Sequence, residues 1–353
     1  MRWQANGEQA MSFGSPFAPS LATQEQNSSC WYSRKGINPV LRYSAKRVSS
    51  SLIVVVLISV FAFALVRLAP GDAALVMLGE ESTPEAVAKL REYLGLDRPL
   101  ILQYFTWAKQ VFRGDLGVSV YMETTVAEVV VTKFPVTLAI AVATVLIAAG
   151  VGIPLGIIAA VKRLTWIDQA ISTVSIMGLS VPSFWLGLNL MLVFAVWLRW
   201  FPTGGCVPAS EGFFPFLKSI FLPSFALGIK WSALVVRMTR SCMLEILGRD
   251  FMQTARAKGL RESVVVLKHG FRNAVIPIVT VLGLVFGLAL GGAIIIETVF
   301  SIPGIGRLLV FSIARRDYSV VQGIILIIGL NFTAVNLLVD LTYGMIDPRI
   351  KYE

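Results

Sequence analysis

The sequence predicts an all-α membrane protein with six transmembrane helices. Of its 353 residues, 56% are hydrophobic and only 15% are charged, whereas about a quarter of the residues in a soluble globular protein are charged. The charged residues cluster between uncharged runs that are long enough for a helix to cross a bilayer. The net charge of +10 fits Lys and Arg retained in cytoplasmic loops, an interpretation that we prefer to nucleic-acid binding.

Six apolar segments are the predicted spans. They are residues 49–66, 135–161, 169–198, 219–236, 274–296 and 319–339. The third is the longest and contains Pro182. Its length implies a tilt, a kink at the proline or an extension beyond the bilayer.

Two basic clusters set the predicted topology. One precedes the first span, which places the N-terminus in the cytoplasm. An even number of spans then places the C-terminus and the basic loop 241–273 on the same side. Residues 1–37 are polar and without periodicity, so we expect a disordered cytoplasmic tail, or an upstream extension if translation starts at Met11. Residues 38–353 are expected to form one transmembrane domain.

Residues 67–134 form an insert of different composition between the first two spans. Acidic side chains outnumber basic ones in this segment, which suits an external location. A short helix is predicted at 84–95, with Pro84 at its first position and Gly95 as its stop. A second short helix is predicted at 100–112.

Motifs for ATP binding and for common hydrolytic chemistry are absent from the sequence. No G-x-x-x-x-G-K-[ST], H-E-x-x-H or G-x-S-x-G occurs. The three cysteines have no paired spacing and the single histidine, His269, is interpreted as a surface residue, so we predict neither a metal site nor catalytic residues. Ionisable groups, which ion-coupled carriers usually need within the membrane, are nearly absent from the spans. The energy source is therefore expected on another polypeptide, and a self-sufficient secondary carrier is the alternative.

The loop 241–273 is more elaborate than a simple connection between two spans. A helix is predicted at 250–260, capped by Asp250 and stopped near Gly259. One predicted face combines a large side chain with small ones: Phe251, Met252, Ala255 and Gly259. Such a face can enter a groove on a soluble partner. The alternative is a solvated basic connector.

Gly283, Gly287 and Gly291 occupy every fourth position of the fifth span. Glycines stacked in this way form a flat groove that lets another helix approach closely. They predict helix packing, either at a subunit interface beside a transport pathway or within this chain.

Lys230 and Glu297 are ionisable residues in or beside the spans. An unpaired ammonium at membrane depth costs about 2.5–3.5 kcal/mol on insertion scales, so Lys230 is expected to face a cavity or a partner. It either lines a passage and attracts a carboxylate, such as a peptide terminus, or has a structural role. Glu297 is expected to organise a helix end or a gate rather than to carry protons.

Five motifs follow one another at consistent spacing. They are L-A-P-G-D at 68–72, G-D-L-G at 114–117, Q-T-A-R-A-K-G at 253–259, E-T-V-F-S-I-P-G-I-G at 297–306 and D-P-R at 347–349. The third resembles the E-A-A-x-x-x-G loop of binding-protein-dependent ABC importer permeases. The whole set is similar to the first, or B-type, permease subunit of dipeptide, oligopeptide, glutathione and nickel importers. Gln253 replaces the Glu of the E-A-A motif, and Arg272 stands where many relatives have the proline of an L-P pair.

This resemblance implies a type I permease fold with an external insert, and a transport subunit rather than an enzyme. The expected partners are a homologous second permease, two cytoplasmic ATPases that bind ATP and Mg²⁺, and an external solute-binding protein. No cofactor is expected on this chain, and the expected location is the bacterial inner membrane. Dipeptides or oligopeptides are the expected substrates, with nickel or glutathione as alternatives. The residues expected to couple to an ATPase are Phe251, Gln253, Thr254, Ala255 and Gly259.

Overall fold

The computed structural model describes residues 39–68, 75, 83–94, 97–119 and 121–346. Within them the structure is helical apart from turns and one isolated bridge between Val118 and Thr125. The helices are α1 (Pro39–Leu68), α2 (Pro84–Leu94), α3 (Leu100–Phe112), α4 (Val126–Val161), α5 (Trp166–Ser180), α6 (Ser183–Leu190), α7 (Phe213–Leu247), α8 (Asp250–Ala257), α9 (Arg272–Val299), α10 (Ile305–Ala314) and α11 (Tyr318–Ile346). A π-helix, Met191–Trp197, continues α6, and another, Val265–Phe271, leads into α9. The predicted tail 1–37 and most of the motifs at 68–72 and 347–349 lie outside the described residues.

Five helical segments are long and apolar enough to cross a membrane. They are Arg47–Leu65, Val126–Val161, Phe213–Leu247, Glu262–Val299 and Tyr318–Thr342. A sixth crossing results if the bent pair Trp166–Ser180 and Ser183–Trp197 counts as one span. The six predicted segments correspond in order to these helices, which confirms the predicted all-α membrane architecture.

The second span begins earlier than predicted. α4 starts at Val126, so residues 126–134, which we assigned to the external insert, belong to a helix of transmembrane length. Thr125 defines the start, because its hydroxyl accepts the backbone N–H of Glu128 at 3.3 Å. Pro135 lies inside α4, where it removes one backbone hydrogen bond without ending the helix.

The third span is broken at Pro182. α5 ends at Ser180, Val181 and Pro182 are extended, and α6 begins at Ser183. The two halves are bent by 99°. Because a proline disfavours the helical conformation of the residue before it, the chain turns at Val181. Of the three expectations for this long segment, the kink is confirmed.

α4 and α7 form the centre of the bundle. A Cβ atom at Gly152 would lie 2.6 Å from the Cβ of Val235, and one at Gly156 would lie 2.6 Å from the Cβ of Thr239. These glycines let the two backbones approach more closely than any side chain would allow. The apolar window of α7 is 67% buried, whereas that of α1 is 11% buried. α7 is thus the central span and α1 a peripheral one.

α1 packs against α11 at the edge of the bundle. Arg47 near its start forms an ion pair of 3.2 Å with Asp340 near the end of α11. The first and last spans therefore have these two ends on the same side, as an even number of crossings requires. Successive spans alternate in direction, so α8 lies at this end as well. We call it the α8 end and the opposite one the insert end.

The insert contacts the bundle at two places. The hydroxyls of Tyr104 in α3 and Ser59 in α1 lie 2.7 Å apart, and the Tyr104 ring meets Phe63 edge-on. Further along, the Ser119 hydroxyl donates to the buried carboxyl of Asp317 at 2.5 Å, between α10 and α11. The predicted helices at 84–95 and 100–112 are confirmed as α2 and α3, although Gly95 lies outside the described residues. Together these contacts hold the insert against one end of the bundle.

Candidate functional site

The helix in the long polar loop, α8, begins at Asp250 and ends at Ala257. Its N-cap is Arg249 and no side chain caps its first turn, so the prediction that Asp250 is the cap is wrong. Asp250 lies in the first turn, where a carboxylate favours the positive end of the helix dipole. The predicted stop at Gly259 is confirmed: its φ of +73° is a conformation that glycine adopts without steric cost.

The buried face of α8 contains two residues that we expected on its outward face. Met252 is fully buried and Ala255 is 8% exposed. Both pack in a cluster with Met243 and Ile246 of α7. The opposite side of the helix is exposed and consists of Gln253, Thr254 and Ala257, with Phe251 at its rim. α8 is therefore anchored on one side and free on the other.

The prediction that Ala255 faces a partner is wrong, because this residue lies on the buried side of α8. Its methyl group lies in the core, where α8 packs against the π-helix Val265–Phe271. Phe251, Gln253, Thr254 and Gly259 are exposed as expected. Contact of these four residues with an ATPase stays a prediction.

An ion pair fixes the turn after α8. The Nε and Nη2 atoms of Arg256 lie 3.1 and 2.9 Å from the two carboxylate oxygens of Glu262. The hydrogen bond to Glu262 raises the pKa of Arg256. Because both side chains are exposed, such a pair contributes about 0.2–1 kcal/mol to stability. Its main effect is to hold the short helix Glu262–Val264 beside α8.

A buried ion pair, not predicted from the sequence, joins α5 to α7. Nε and Nη2 of Arg240 in α7 donate to the two carboxylate oxygens of Asp168 in α5 at 2.6 and 2.8 Å. Asp168 is 3% exposed and also accepts the N–H of Leu164 at 3.1 Å. The predicted third span begins at Gln169, so Asp168 lies just outside it. The sequence does contain a signal for this pair: Asp168 is a lone acidic residue just before the third span, and Arg240 follows the end of the fourth span, on the same side of the membrane.

Lys230 lies in the middle of α7 and is half-buried. Its Nζ atom lies 5.4 Å from the centroid of the neighbouring Trp231 ring, a cation–π contact. No carboxylate among the described residues forms an ion pair with it. The structural contact and the predicted role in a passage are compatible, and the role in a passage stays a prediction.

Glu297 organises the turn at the insert end. Its buried carboxyl accepts the hydroxyl of Thr137 in α4 at 2.5 Å and the N–H of Arg307 in α10 at 3.0 Å. The Thr137 hydroxyl in turn accepts the N–H of Ile305 at 2.9 Å. The carboxyl also lies so close to Gly304 that a Cβ atom there would overlap it. Glu297 thus joins α4, α9 and the start of α10, which agrees with the expected role at a helix end.

The three glycines of α9 have different surroundings. A Cβ atom at Gly283 would lie 2.6 Å from Cγ2 of Val339, and one at Gly287 would overlap the ring of Phe332. Both neighbours belong to α11, so these two glycines serve packing within this chain. Gly291 is exposed, and its Cβ position has no neighbouring atom within 4 Å in the described part of the protein. The interface interpretation remains a prediction for Gly291 alone.

Two family models match most of this helical framework. Residues 152–352 match the binding-protein-dependent transport system inner membrane component, and residues 40–141 match the N-terminal membrane component of such systems. The chain belongs to this permease family. The matched regions contain α8, the Asp168–Arg240 pair and the turn around Glu297.

Relatives of similar length support the same assignment. A putative peptide transport system permease protein of Brucella abortus is 40% identical over 308 residues, which cover 87% of this permease and 98% of the relative. A probable peptide ABC transporter permease protein of Sinorhizobium fredii is 39% identical over 310 residues, with coverage of 88% and 99%. A glutathione transport system permease protein of Salmonella choleraesuis is 40% identical over 314 residues, with coverage of 89% and 100%. The resemblance inferred from the motifs is confirmed, and the chain is the permease component of an ABC importer.

A solved structure shares the fold of this permease. An inward-facing conformation of the methionine ABC transporter MetNI aligns with a TM-score of 0.53 and 15% identity, over 62% of this chain and 96% of that one. At this identity the similarity concerns the fold alone. It confirms the predicted type I importer permease fold.

Proposed function

We propose that this permease forms half of the pore of an ATP-driven importer of dipeptides or oligopeptides. A homologous second permease supplies the other half, and an external solute-binding protein delivers the substrate. Two ATPases bind ATP and Mg²⁺, so this chain carries no cofactor of its own. The peptide permeases of Brucella abortus and Sinorhizobium fredii, aligned over 98% and 99% of their length, support the peptide assignment.

The construction of α8 is the observation that carries this proposal. Met252 and Ala255 anchor one side in the core, while Gln253, Thr254 and Ala257 are exposed on the other. A firmly anchored helix with a free face can enter a groove of a soluble protein. A simple solvated connector would need no such anchor.

The charge of the α8 end supports a cytoplasmic orientation. Residues 237–272 carry eight Lys or Arg and three Asp or Glu, and short basic loops are retained in the cytoplasm. Both termini are then cytoplasmic and the protein is a multi-pass component of the bacterial inner membrane. The insert and the turn at 301–306 are external and shape the mouth at which the binding protein docks.

In this proposal, closure of the ATPases displaces α8, and α8 moves the spans. Such a switch requires contacts with α8 that differ in free energy between the two ATPase states. Displacement reaches α7 because Met252 shares one buried cluster with Val265 of the π-helix and with Met243 of α7. The cavity between the two permeases then changes from inward-facing to outward-facing.

Reconstitution in lipid vesicles tests the proposal. The two permeases, the ATPases and the binding protein together should take up labelled dipeptides and oligopeptides only when ATP is supplied. An ion gradient without ATP should drive none. Uptake by this chain alone under an ion gradient would identify a secondary carrier instead.

Gly259 provides a sharper test of the role of α8. Gly259→Val places a β-branched side chain in a left-handed backbone conformation, which distorts the end of the helix. Uptake is expected to fall while ATP hydrolysis continues. Gly248→Val is the matched control, because Gly248 has an ordinary φ of −83°. Retained, substrate-stimulated uptake by Gly259→Val would argue against α8 as the moving contact.

Glutathione is a second candidate substrate, because a glutathione permease is among the relatives at 40% identity. Competition separates the two substrates. Unlabelled glutathione should not reduce dipeptide uptake by the complete complex if peptides are the substrates, and it should do so strongly if glutathione is.

A further inference from the structure

We propose that Asp168 and Arg240 form a joint that makes the broken third span follow the movement of α8. The inference rests on the proposed function, because it assigns residues that carry the displacement of α8 into the membrane. Both residues act as positioning residues. Neither is expected to touch substrate or nucleotide.

α5 packs along α7, and most of its residues are exposed or half-buried. Of the 15 residues of α5, only Asp168 is buried. The most buried side chain of this helix is therefore a carboxylate rather than an apolar group. Its partner, Arg240, lies on the central span α7 and binds both carboxylate oxygens. A bidentate pair of this kind fixes direction as well as distance.

The joint also controls the turn before α5. The same carboxylate accepts the N–H of Leu164 at 3.1 Å. Leu164 has a φ of +63°, a left-handed conformation that a leucine adopts only when its surroundings impose it. Asp168 therefore holds the α4–α5 turn and α7 at once, and movement of α7 is imposed on the start of α5.

A short path of contacts leads from α8 to this joint. Gly270 lies beside the terminal methyl groups of Met252 in α8 and Met243 in α7. A Cβ atom at Gly270 would be 3.4 and 3.3 Å from them. Met243 is fully buried and lies one turn after Arg240 on the same helix. A displacement of α8 thus reaches α7 through Gly270 of the π-helix, which lies beside both methionines, and reaches α5 through the ion pair.

A second ion pair offers a matched control. Glu245, also in α7, pairs with Arg249 at 2.6 Å, but both side chains are exposed, at 70% and 59%. Asp168→Asn and Glu245→Gln each replace one carboxylate with an amide of the same shape. Only the first removes a contact between α5 and α7.

Uptake and ATP hydrolysis by the complete complex provide the first measurement. Asp168→Asn is expected to lower the number of peptides taken up per ATP by about tenfold, within the range of typical allosteric coupling, while hydrolysis persists. Glu245→Gln is expected to match the wild type. An unchanged ratio for Asp168→Asn would overturn the inference.

Asp168→Asn leaves Arg240 without its partner, which can impair folding. The double variant Asp168→Leu/Arg240→Met leaves no unpaired charge and is expected to assemble normally with uptake per ATP still low. Recovery of wild-type coupling in this variant would show that the pair serves stability alone. That outcome would also overturn the inference.

Distance measurements test the joint directly. Spin labels are placed at Thr173→Cys in α5 and Arg237→Cys in α7, both exposed, after the native cysteines are replaced by alanine. The label distance should be the same in the nucleotide-free and ATP-trapped complexes, and should differ between these states in Asp168→Asn. If Asp168 and Arg240 are intact and the label distance still differs between the nucleotide-free and ATP-trapped complexes, the proposed joint is contradicted. Absence of ATP-driven uptake by the wild-type complex would refute the proposed function itself, whereas normal wild-type uptake with an unaffected Asp168→Asn refutes this inference alone.

Discussion

Glu297→Ala is expected to open the turn at the insert end. The wild-type carboxyl is fully buried and accepts the N–H of Arg307 at 3.0 Å and the hydroxyl of Thr137 at 2.5 Å. It also lies against Gly306, where a Cβ atom would be 2.9 Å from one of its oxygens. Alanine has no carboxyl group, so all of these contacts are lost. It leaves the part-buried N–H of Arg307 at the start of α10 without a partner.

The size of the effect follows from this geometry. A buried N–H without a partner costs roughly 1–3 kcal/mol. The N–H of Arg307 is part-buried, so its loss lies at the low end of that range, about 1 kcal/mol. The Thr137 hydroxyl adds less, because it can rotate and still accepts the N–H of Ile305. A loss of this size is an appreciable part of the stability of a typical domain.

Thermal unfolding of the purified complex in detergent measures the effect. Glu297→Ala should lower the midpoint by a few degrees, and uptake should fall because α10 loses its fixed start. Glu211→Gln, an exposed carboxyl at the same end, should behave as the wild type. A Glu297→Ala midpoint equal to that of the wild type would refute the view that this carboxyl holds the turn together.

Three further predictions concern α8, α9 and α7. Met252→Ala should lower the unfolding midpoint, since truncating a fully buried methionine costs about 2–5 kcal/mol. The side chain of Phe251 is 42% exposed, so Phe251→Ala should leave the midpoint unchanged and weaken ATPase binding in a pull-down. Gly287→Leu should abolish the monodisperse peak in size-exclusion chromatography because of the clash with Phe332, whereas Gly291→Leu should retain that peak. If the second permease is lost from the Gly291→Leu complex while this chain stays folded, Gly291 lies at the interface between the two permeases. Lys230→Met should leave assembly and peptide uptake intact, since its contact is with Trp231; selective loss of uptake of substrates with a free carboxylate would instead place Lys230 in the passage.

The predicted spans succeeded where apolar length decided the structure and failed at their ends. The uncharged run before Val161 begins at Pro135, but α4 begins at Val126. Lys133 interrupts the apolar run without interrupting the helix, because a charge near the end of a span can reach the membrane surface. The start of an uncharged run therefore need not be the start of the helix.

The orientation of α8 could not be obtained from its spacing. Phe251, Met252 and Ala255 are close together around a helix, and the periodicity alone does not say which of them meets the protein. The cluster with Met243 and Ile246 decides this. Those residues belong to a different helix, so no local pattern contains the information.

The sequence by itself determined the helical membrane architecture, the order of the spans and the glycine that ends α8. These features depend on apolar length, on charge clustering and on local backbone conformation, all of which act over a few neighbouring residues. Only the tertiary structure decided that Ala255 is an anchor, that Gly283 and Gly287 face α11, and that Asp168 meets Arg240 across 72 positions of the chain. Contacts between distant helices depend on the angles at which those helices pack, and these angles arise from the whole bundle.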